Sequence, residues 1–77
     1  MAYPNPTVNA FTLVLKGGDK NNKVELRVFD MSGKTLYQTT GTIDDQYRFG
    51  QQFAGGMYIA EVLNGRNIQT VKLVKGN

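Results

Sequence analysis

Apolar and polar residues alternate with a period close to two along most of this 77-residue chain. In residues 24–29, for example, Val, Leu and Val occupy every second position, with Glu25 and Arg27 between them. Successive side chains of a strand point to opposite faces of a sheet, so this pattern is typical of half-buried antiparallel strands. No segment has apolar residues at the spacing of a helix face. The sequence therefore predicts an all-β protein.

Residues that favour turns divide the pattern into short strands. The first strand, residues 11–16, ends at Gly-Gly-Asp, residues 17–19. The strand at residues 24–29 is followed by Asp-Met-Ser-Gly-Lys, in which Asp30 can accept hydrogen bonds from nearby amides and the glycine can adopt a positive φ. This turn predicts a hairpin into residues 35–40.

The second half of the chain is predicted to contain an edge strand and a hairpin. Residues 46–49 form a strand whose brevity is typical of a sheet edge, and the Gly-rich residues 50–56 form a loop that crosses between two sheets. Residues 57–63 and 68–75 are strands joined by an Asn-Gly pair at residues 64–65. Asn-Gly between strand formers predicts a type I′ turn, in which both central residues have positive φ.

Six or seven short strands with turn signals between them predict a small immunoglobulin-like antiparallel β-sandwich. A chain of this length forms one domain with a small core. The predicted core consists of Phe11, Leu13, Val24, Leu26, Val28, Leu36, Phe49, Phe53, Tyr58, Ala60 and Val62, with Val71 and Leu73 also facing it. An apolar surplus is predicted on the opposite face of the last hairpin, at Ile59, Leu63, Ile68 and Val74.

The opening of the chain, Tyr-Pro-Asn-Pro-Thr at residues 3–7, is predicted to be a linker. Proline fixes φ near about −65° and pushes the residue before it toward an extended conformation, so this stretch cannot start a helix. The strand pattern is predicted to begin only at Phe11. We therefore expect a linker over residues 1–10 and a sandwich domain over residues 11–77.

The composition argues against an enzyme. The chain has no cysteine and no histidine, which removes thiolate nucleophiles, disulfides and the usual general base near neutral pH. Ser32 is the only serine, and it lies in a predicted turn without an imidazole to activate it. Asp44 and Asp45 lack the further oxygen ligands that a calcium site needs. No cofactor and no metal are predicted.

The charge distribution argues against nucleic acid as a partner. Nine Lys and Arg against six Asp and Glu leave a net charge of +3, but the cations are scattered along the chain. Nucleic-acid binders usually cluster their cations on one face. No apolar run approaches the roughly 20 residues that are needed to span a bilayer.

Four sequence motifs, in order along nearly the whole chain, carry a resemblance to a known family. They are Tyr-Pro-Asn-Pro-Thr at residues 3–7, Val-Phe-Asp-Met-Ser-Gly-Lys at residues 28–34, Gly-Met-Tyr-Ile-Ala-Glu-Val at residues 56–62 and Lys-Leu-Val-Lys at residues 72–75. With them the chain resembles the type A C-terminal sorting domain of the type IX (Por) secretion system, a β-sandwich at the C-terminus of proteins exported by Bacteroidetes bacteria.

The resemblance implies that this domain is a sorting signal rather than a catalyst. It implies an N-terminal passenger that passes through the periplasm, an outer-membrane translocon with its shuttle protein, and a sortase. This sortase, a cysteine peptidase, would cut upstream of Tyr3 and leave the passenger secreted or attached to the cell surface. The residues that the resemblance marks for sorting or docking are Tyr3, Pro4, Asn5, Pro6, Asp30, Gly33, Gly56, Tyr58, Lys72, Leu73, Val74 and Lys75.

Some of these features also have a simpler interpretation. Residues 3–6 are also compatible with an ordinary interdomain hinge, and the glycines with a purely structural role in turns. Lys72 and Lys75 either keep a sheet edge from pairing with other chains or belong to a docking surface that accepts strand addition. The rival function is a carbohydrate-binding or adhesion module, for which Tyr3, Tyr37 and Tyr47 are the candidate exposed tyrosines.

Overall fold

The structure is a computed structural model that describes residues 2–15 and 22–76. Within these ranges the chain forms seven strands and no helix. The predicted break at residues 17–19 lies outside the described residues. The strands are β1 (Ala2–Tyr3), β2 (Phe11–Val14), β3 (Val24–Asp30), β4 (Thr35–Gly41), β5 (Gln46–Phe49), β6 (Gly56–Asn64) and β7 (Asn67–Lys75).

The strands form two antiparallel sheets. The smaller sheet has the order β1-β2-β5, and the larger one has the order β4-β3-β6-β7. This arrangement confirms the predicted antiparallel β-sandwich, including the position of β5 at a sheet edge. The described part of the chain offers no helix with the length and apolarity to cross a membrane.

The core lies between the two sheets and is rich in aromatic rings. Phe49 is at its centre, with ring centroids 5.8 Å from Phe11, 5.3 Å from Tyr37 and 6.4 Å from Phe53. Phe53, in the loop that crosses from β5 to β6, also packs against Tyr58 with a centroid separation of 4.7 Å. The alternation of β3 is confirmed, because every second residue from Val24 to Val28 is buried. All predicted core residues are buried except Leu36 and Val71, which are partly buried against the core.

Tyr47 was predicted to lie outside the core, and this prediction is wrong. Its side chain is only 5% exposed, and its hydroxyl donates a hydrogen bond to the Thr42 carbonyl at 2.7 Å. Burial, together with the charge of Asp45, raises the pKa of the Tyr47 hydroxyl above its ordinary value. Tyr47 and Phe49 share the inward face of β5, so the alternation of this strand already pointed to the core.

The turn between β6 and β7 differs from the predicted type I′ turn. Asn64 pairs with Asn67, so the two central residues are Gly65 and Arg66 rather than Asn64 and Gly65. Gly65 has a φ of 62°, and no described residue other than glycine has a positive φ. Positive φ at the first central residue alone is the pattern of a type II′ turn, which places glycine at that position. The predicted hairpin itself is confirmed.

The strands begin earlier than Phe11. Ala2 pairs with Leu13 and Tyr3 pairs with Thr12, so β1 forms the outer strand of the smaller sheet. The expectation that the strand pattern starts at Phe11 is therefore wrong. The reason is that a two-residue strand next to proline has no periodicity for a sequence pattern to reveal. The boundary between linker and domain at residue 10 stays a prediction.

Candidate functional site

The structure distributes the residues marked by the resemblance over four segments of the fold, each of which adjoins another. The N-terminal segment lies beside the end of β7, the start of β6 pairs with the end of β7, and Asp30 pairs with Tyr58 on β6. The four segments are the N-terminal one with Tyr3, Pro4, Asn5 and Pro6; the end of β7 with Lys72, Leu73, Val74 and Lys75; the β3–β4 turn with Asp30 and Gly33; and the start of β6 with Gly56 and Tyr58.

The side chain of Asn5 binds the outer edge of β7. Its Nδ2 donates to the Lys72 carbonyl at 2.8 Å, and its Oδ1 accepts from the Val74 amide at 2.9 Å. In a parallel sheet, the N–H and C=O of one residue bond to the two residues that flank its partner on the next strand. The Asn5 carboxamide therefore takes the place of a backbone peptide group opposite Leu73.

Thr7 forms the next rung of the same ladder through its own backbone. Its amide donates to the Val74 carbonyl at 3.1 Å, and its carbonyl accepts from the Gly76 amide at 2.6 Å. Thr7 and Lys75 thus form a parallel bridge. We call residues 5–7 the edge strap. The predicted linker is consequently held against β7, and strand addition at this end of β7 is blocked while the edge strap is in place.

Lys75 points into the protein. It is 5% exposed, and its ammonium group donates to the carbonyls of Asn9, Gly50 and Gln51. Its three N–H donors are thereby matched by three acceptors from two different segments. Lys75 therefore does not protect a sheet edge with its charge, which was one of the two interpretations offered by the sequence. The signal was available, because Lys75 is in phase with Leu73 on the inward face of β7.

Lys72 and Val74 point outward, on the solvent face of the larger sheet. Cross-strand pairing places Phe29 opposite Ile59, Ile59 opposite Lys72, and Met57 opposite Val74. We call Phe29, Met57, Ile59 and Val74 the outer patch. Its members are half-buried except Met57, which is 39% exposed.

A second apolar pair lies on the same face near the β6–β7 turn. Leu63 is opposite Ile68, and Ile68 is 63% exposed. The polar pair Glu61 and Thr70 separates this pair from the outer patch. The predicted apolar surplus on the outward face is thus confirmed, but it is divided into two parts.

Asp30 and Gly33 build the turn between β3 and β4. Asp30 Oδ1 accepts hydrogen bonds from the Ser32 amide at 2.9 Å, the Ser32 hydroxyl at 2.6 Å and the Lys34 amide at 3.0 Å. The hydroxyl of Ser32 and the amide of Lys34 hold the pKa of the Asp30 carboxyl below its ordinary value of 3.8. Gly33 has a φ of 90°, which closes the predicted hairpin.

Tyr58 belongs to the core rather than to the surface. Its ring is 6% exposed, and its hydroxyl donates to the Ala54 carbonyl at 2.5 Å, which fastens the loop between β5 and β6. Gly56 begins β6 next to this loop. These two residues and Leu73, which is fully buried, support the fold, whereas Lys72 and Val74 are accessible to a partner.

The metal, serine and sugar-binding alternatives can each be compared with the described residues. Within residues 2–15 and 22–76, no three His, Cys, Asp or Glu side chains lie together in a way that would hold a metal ion. The hydroxyl of Ser32 is engaged with Asp30. Of the three tyrosines considered for sugar binding, Tyr47 is buried and Tyr37 is stacked on Phe49, which leaves Tyr3 at 42% exposure.

The fold and the site together define a small antiparallel β-sandwich domain whose N-terminal segment is hydrogen-bonded to its last strand. The family model described as "Secretion system C-terminal sorting domain" matches residues 1–76. The chain belongs to this family, which confirms the resemblance drawn from its four motifs. No curated protein matches the chain.

Membership in the family establishes the general function. The domain is the C-terminal sorting signal of type IX secretion substrates, which are exported across the outer membrane and are secreted or displayed on the cell surface. The family acts as a non-catalytic signal and interacts with the type IX secretion machinery.

Proposed function

We propose that the type IX machinery reads this domain in its folded form, through the outward face of the β6–β7 hairpin. The domain follows a passenger that crosses the periplasm, and a shuttle protein of the outer-membrane translocon receives it there. A cysteine-peptidase sortase then cuts upstream of Tyr3 and separates the passenger from the sandwich. Residues 1–10 connect the two parts, and residues 11–77 form the sorting sandwich.

The outer patch is the observation that supports this proposal. A solvent-facing sheet is usually polar, yet Phe29, Ile59 and Val74 lie on neighbouring strands of one face. Met57 extends the same cluster at 39% exposure. Exposed apolar clusters on small proteins are typical of interaction sites, because they otherwise promote aggregation. Met57, Ile59 and Val74 lie on the final hairpin, which carries two of the four family motifs, and Phe29 lies on β3 within a third motif.

Lys72 gives the proposed surface its charge. It is exposed, it pairs with Ile59 across the sheet, and it thereby flanks the outer patch. A partner surface that covers the patch and places a carboxylate opposite Lys72 would complement both the apolar area and the charge. Within the proposal, Lys72 and Val74 contact the machinery. Asp30, Gly33, Tyr58, Leu73 and Lys75 keep the sandwich folded.

The test is an export assay with point variants. A fluorescent passenger behind an export signal is fused to residues 1–77 and expressed in a bacterium with an intact type IX system. We expect Val74→Lys to leave the passenger in the periplasm, because a charge is placed in the outer patch. Thr70→Lys is the matched control, since Thr70 lies on the same face of the same strand but next to Glu61.

Point variants are preferable to truncation of the last strand. Removal of the residues after Asn67 would take away Leu73 and Lys75, both buried, and would unfold the sandwich. Thermal unfolding of the purified variants establishes that Val74→Lys remains folded. Normal export of a folded Val74→Lys variant would contradict the proposed reading surface. The C-terminal residue of the exported passenger, determined by mass spectrometry, locates the proposed cut.

A further inference from the structure

The outer edge of β7 has an occupant that is unlike a normal strand. The edge strap contributes two rungs, and one of them uses the Asn5 side chain instead of the backbone. Pro4 and Pro6 flank Asn5 and have no N–H to donate. The edge of β7 is therefore satisfied at residues 72–76 by a segment that cannot itself continue the sheet outward.

The edge strap buries little apolar surface. Pro4, Asn5 and Pro6 are exposed, and Val8, which follows the strap, is 63% exposed. Thr7 is the buried member of the strap, and its hydroxyl is engaged locally with the Ala10 carbonyl and the Asn9 amide. Segments held by solvent-exposed hydrogen bonds with few apolar contacts open at a lower free energy than the core strands do.

Opening of the strap would uncover a complete strand edge. The uncovered groups are the carbonyls of Lys72 and Val74 and the amides of Val74 and Gly76. They are spaced for two rungs of a parallel strand. The Val74 side chain on the outer patch lies beside this edge, so an added chain would contact both.

We propose that the edge of β7 at residues 72–76 is a strand-addition site for an extended peptide segment that runs parallel to β7. Residues 5–7 occupy this site in the free domain and are displaced by the incoming segment. The incoming segment binds through its backbone, so the N–H and C=O of one residue replace the Asn5 carboxamide and proline is excluded at that position. This inference rests on the proposed function only in assigning the segment to the secretion machinery.

The exchange of the strap links the two ends of the domain. While residues 5–7 occupy the edge, the C-terminal strand cannot pair with another chain. Once a partner strand takes the edge, residues 5–7 are released from β7, while β1 stays paired with β2.

Amide hydrogen exchange on the complete chain tests whether the edge strap opens more readily than the core strands. The amides of Val74 and Gly76 bond to the strap, whereas alternation along β7 directs the Leu73 amide toward β6. We expect Val74 and Gly76 to exchange faster than Leu73. Asn5→Ala should accelerate Val74 exchange by about tenfold or more and leave Leu73 unchanged. Equal exchange of all three amides in the unsubstituted chain would overturn the inference.

Peptide binding tests whether the uncovered edge of β7 accepts an extended segment. The probe is a fluorescent peptide of residues 2–8, measured by anisotropy against the complete chain with Asn5→Ala. We expect it to bind this variant about tenfold or more tightly than the unsubstituted chain, and to restore protection of the Val74 amide. Gln38→Ala on β4, at the far edge of the same sheet, is the control and should bind like the unsubstituted chain.

A second, more conservative variant keeps the test valid if Asn5→Ala fails to fold. Asn5→Asp keeps the acceptor for the Val74 amide and loses the donor to Lys72, so it should show an intermediate exchange rate at Val74. Absence of peptide binding by both folded variants would overturn the inference. The proposed function would still stand if Val74→Lys abolished export, since that assay does not depend on an exchange of the strap.

Discussion

The ammonium group of Lys75, at the end of β7, donates a hydrogen bond to the carbonyl of Gly50, the residue that follows β5. β5 and β7 belong to different sheets, so this contact closes the sandwich at one end. Asn9 and Gln51 offer their carbonyls to the same ammonium. The last lysine of the C-terminal motif therefore holds three segments together from the inside.

Substitution of Lys75 should weaken the fold. Lys75→Met keeps the length of the side chain but leaves three carbonyls without their donor, and we expect a loss of about 2 to 4 kcal/mol in the free energy of unfolding. Lys72→Met, on the exposed face of the same strand, should change it by less than about 0.5 kcal/mol. Urea denaturation measures both. Equal stabilities of the two variants would show that the buried contacts of Lys75 are not needed.

The β3–β4 turn should weaken in acid. The pKa of Asp30 lies below its ordinary value because the carboxylate accepts hydrogen bonds from Ser32 and Lys34. A carboxylate with a lowered folded-state pKa stabilises the fold above its unfolded pKa. This stabilisation is therefore present near neutral pH and is lost as the pH falls from about 3.8 through the lower folded-state value.

Thermal unfolding of the unsubstituted chain and of Asp30→Asn as a function of pH measures this contribution. We expect the unsubstituted chain to melt at a higher temperature at neutral pH, and the difference to shrink as the pH falls from about 5 toward about 2. Comparison with the variant removes the effect of the other carboxylates. A difference that is independent of pH would contradict the role of the Asp30 charge.

The β6–β7 turn should tolerate substitution at one central position and not at the other. Gly65 has a φ of 62°, so Gly65→Ala should destabilise the domain by about 1 to 2 kcal/mol. Arg66 has no positive φ, and Arg66→Ala should stay within about 0.5 kcal/mol of the unsubstituted chain. Thermal melts compare the two variants. A Gly65→Ala variant as stable as the unsubstituted chain would contradict the positive φ at Gly65.

Local patterns in the sequence determined the strands from β2 to β7, the turn at Asp30 and most of the core. The direction of a side chain in a strand depends only on its place in the alternation, so Val24, Leu26 and Val28 could be assigned to the core without a structure. The same rule applied to Leu73 and Lys75 on β7, where a charge at an inward position concealed the pattern. The motifs that identify the sorting domain could also be recognised from the sequence alone, because each is a contiguous run of residues.

Only the tertiary structure decided what these motifs contact. Asn5 and Lys72 are 67 positions apart, and Lys75 and Asn9 are 66 apart, yet both pairs are hydrogen-bonded. Such pairings depend on the order of strands in the two sheets, which no periodicity within a segment encodes. The alternation could place Val74 outward and Lys75 inward, but the partners of each depend on chain segments that folding alone brings together.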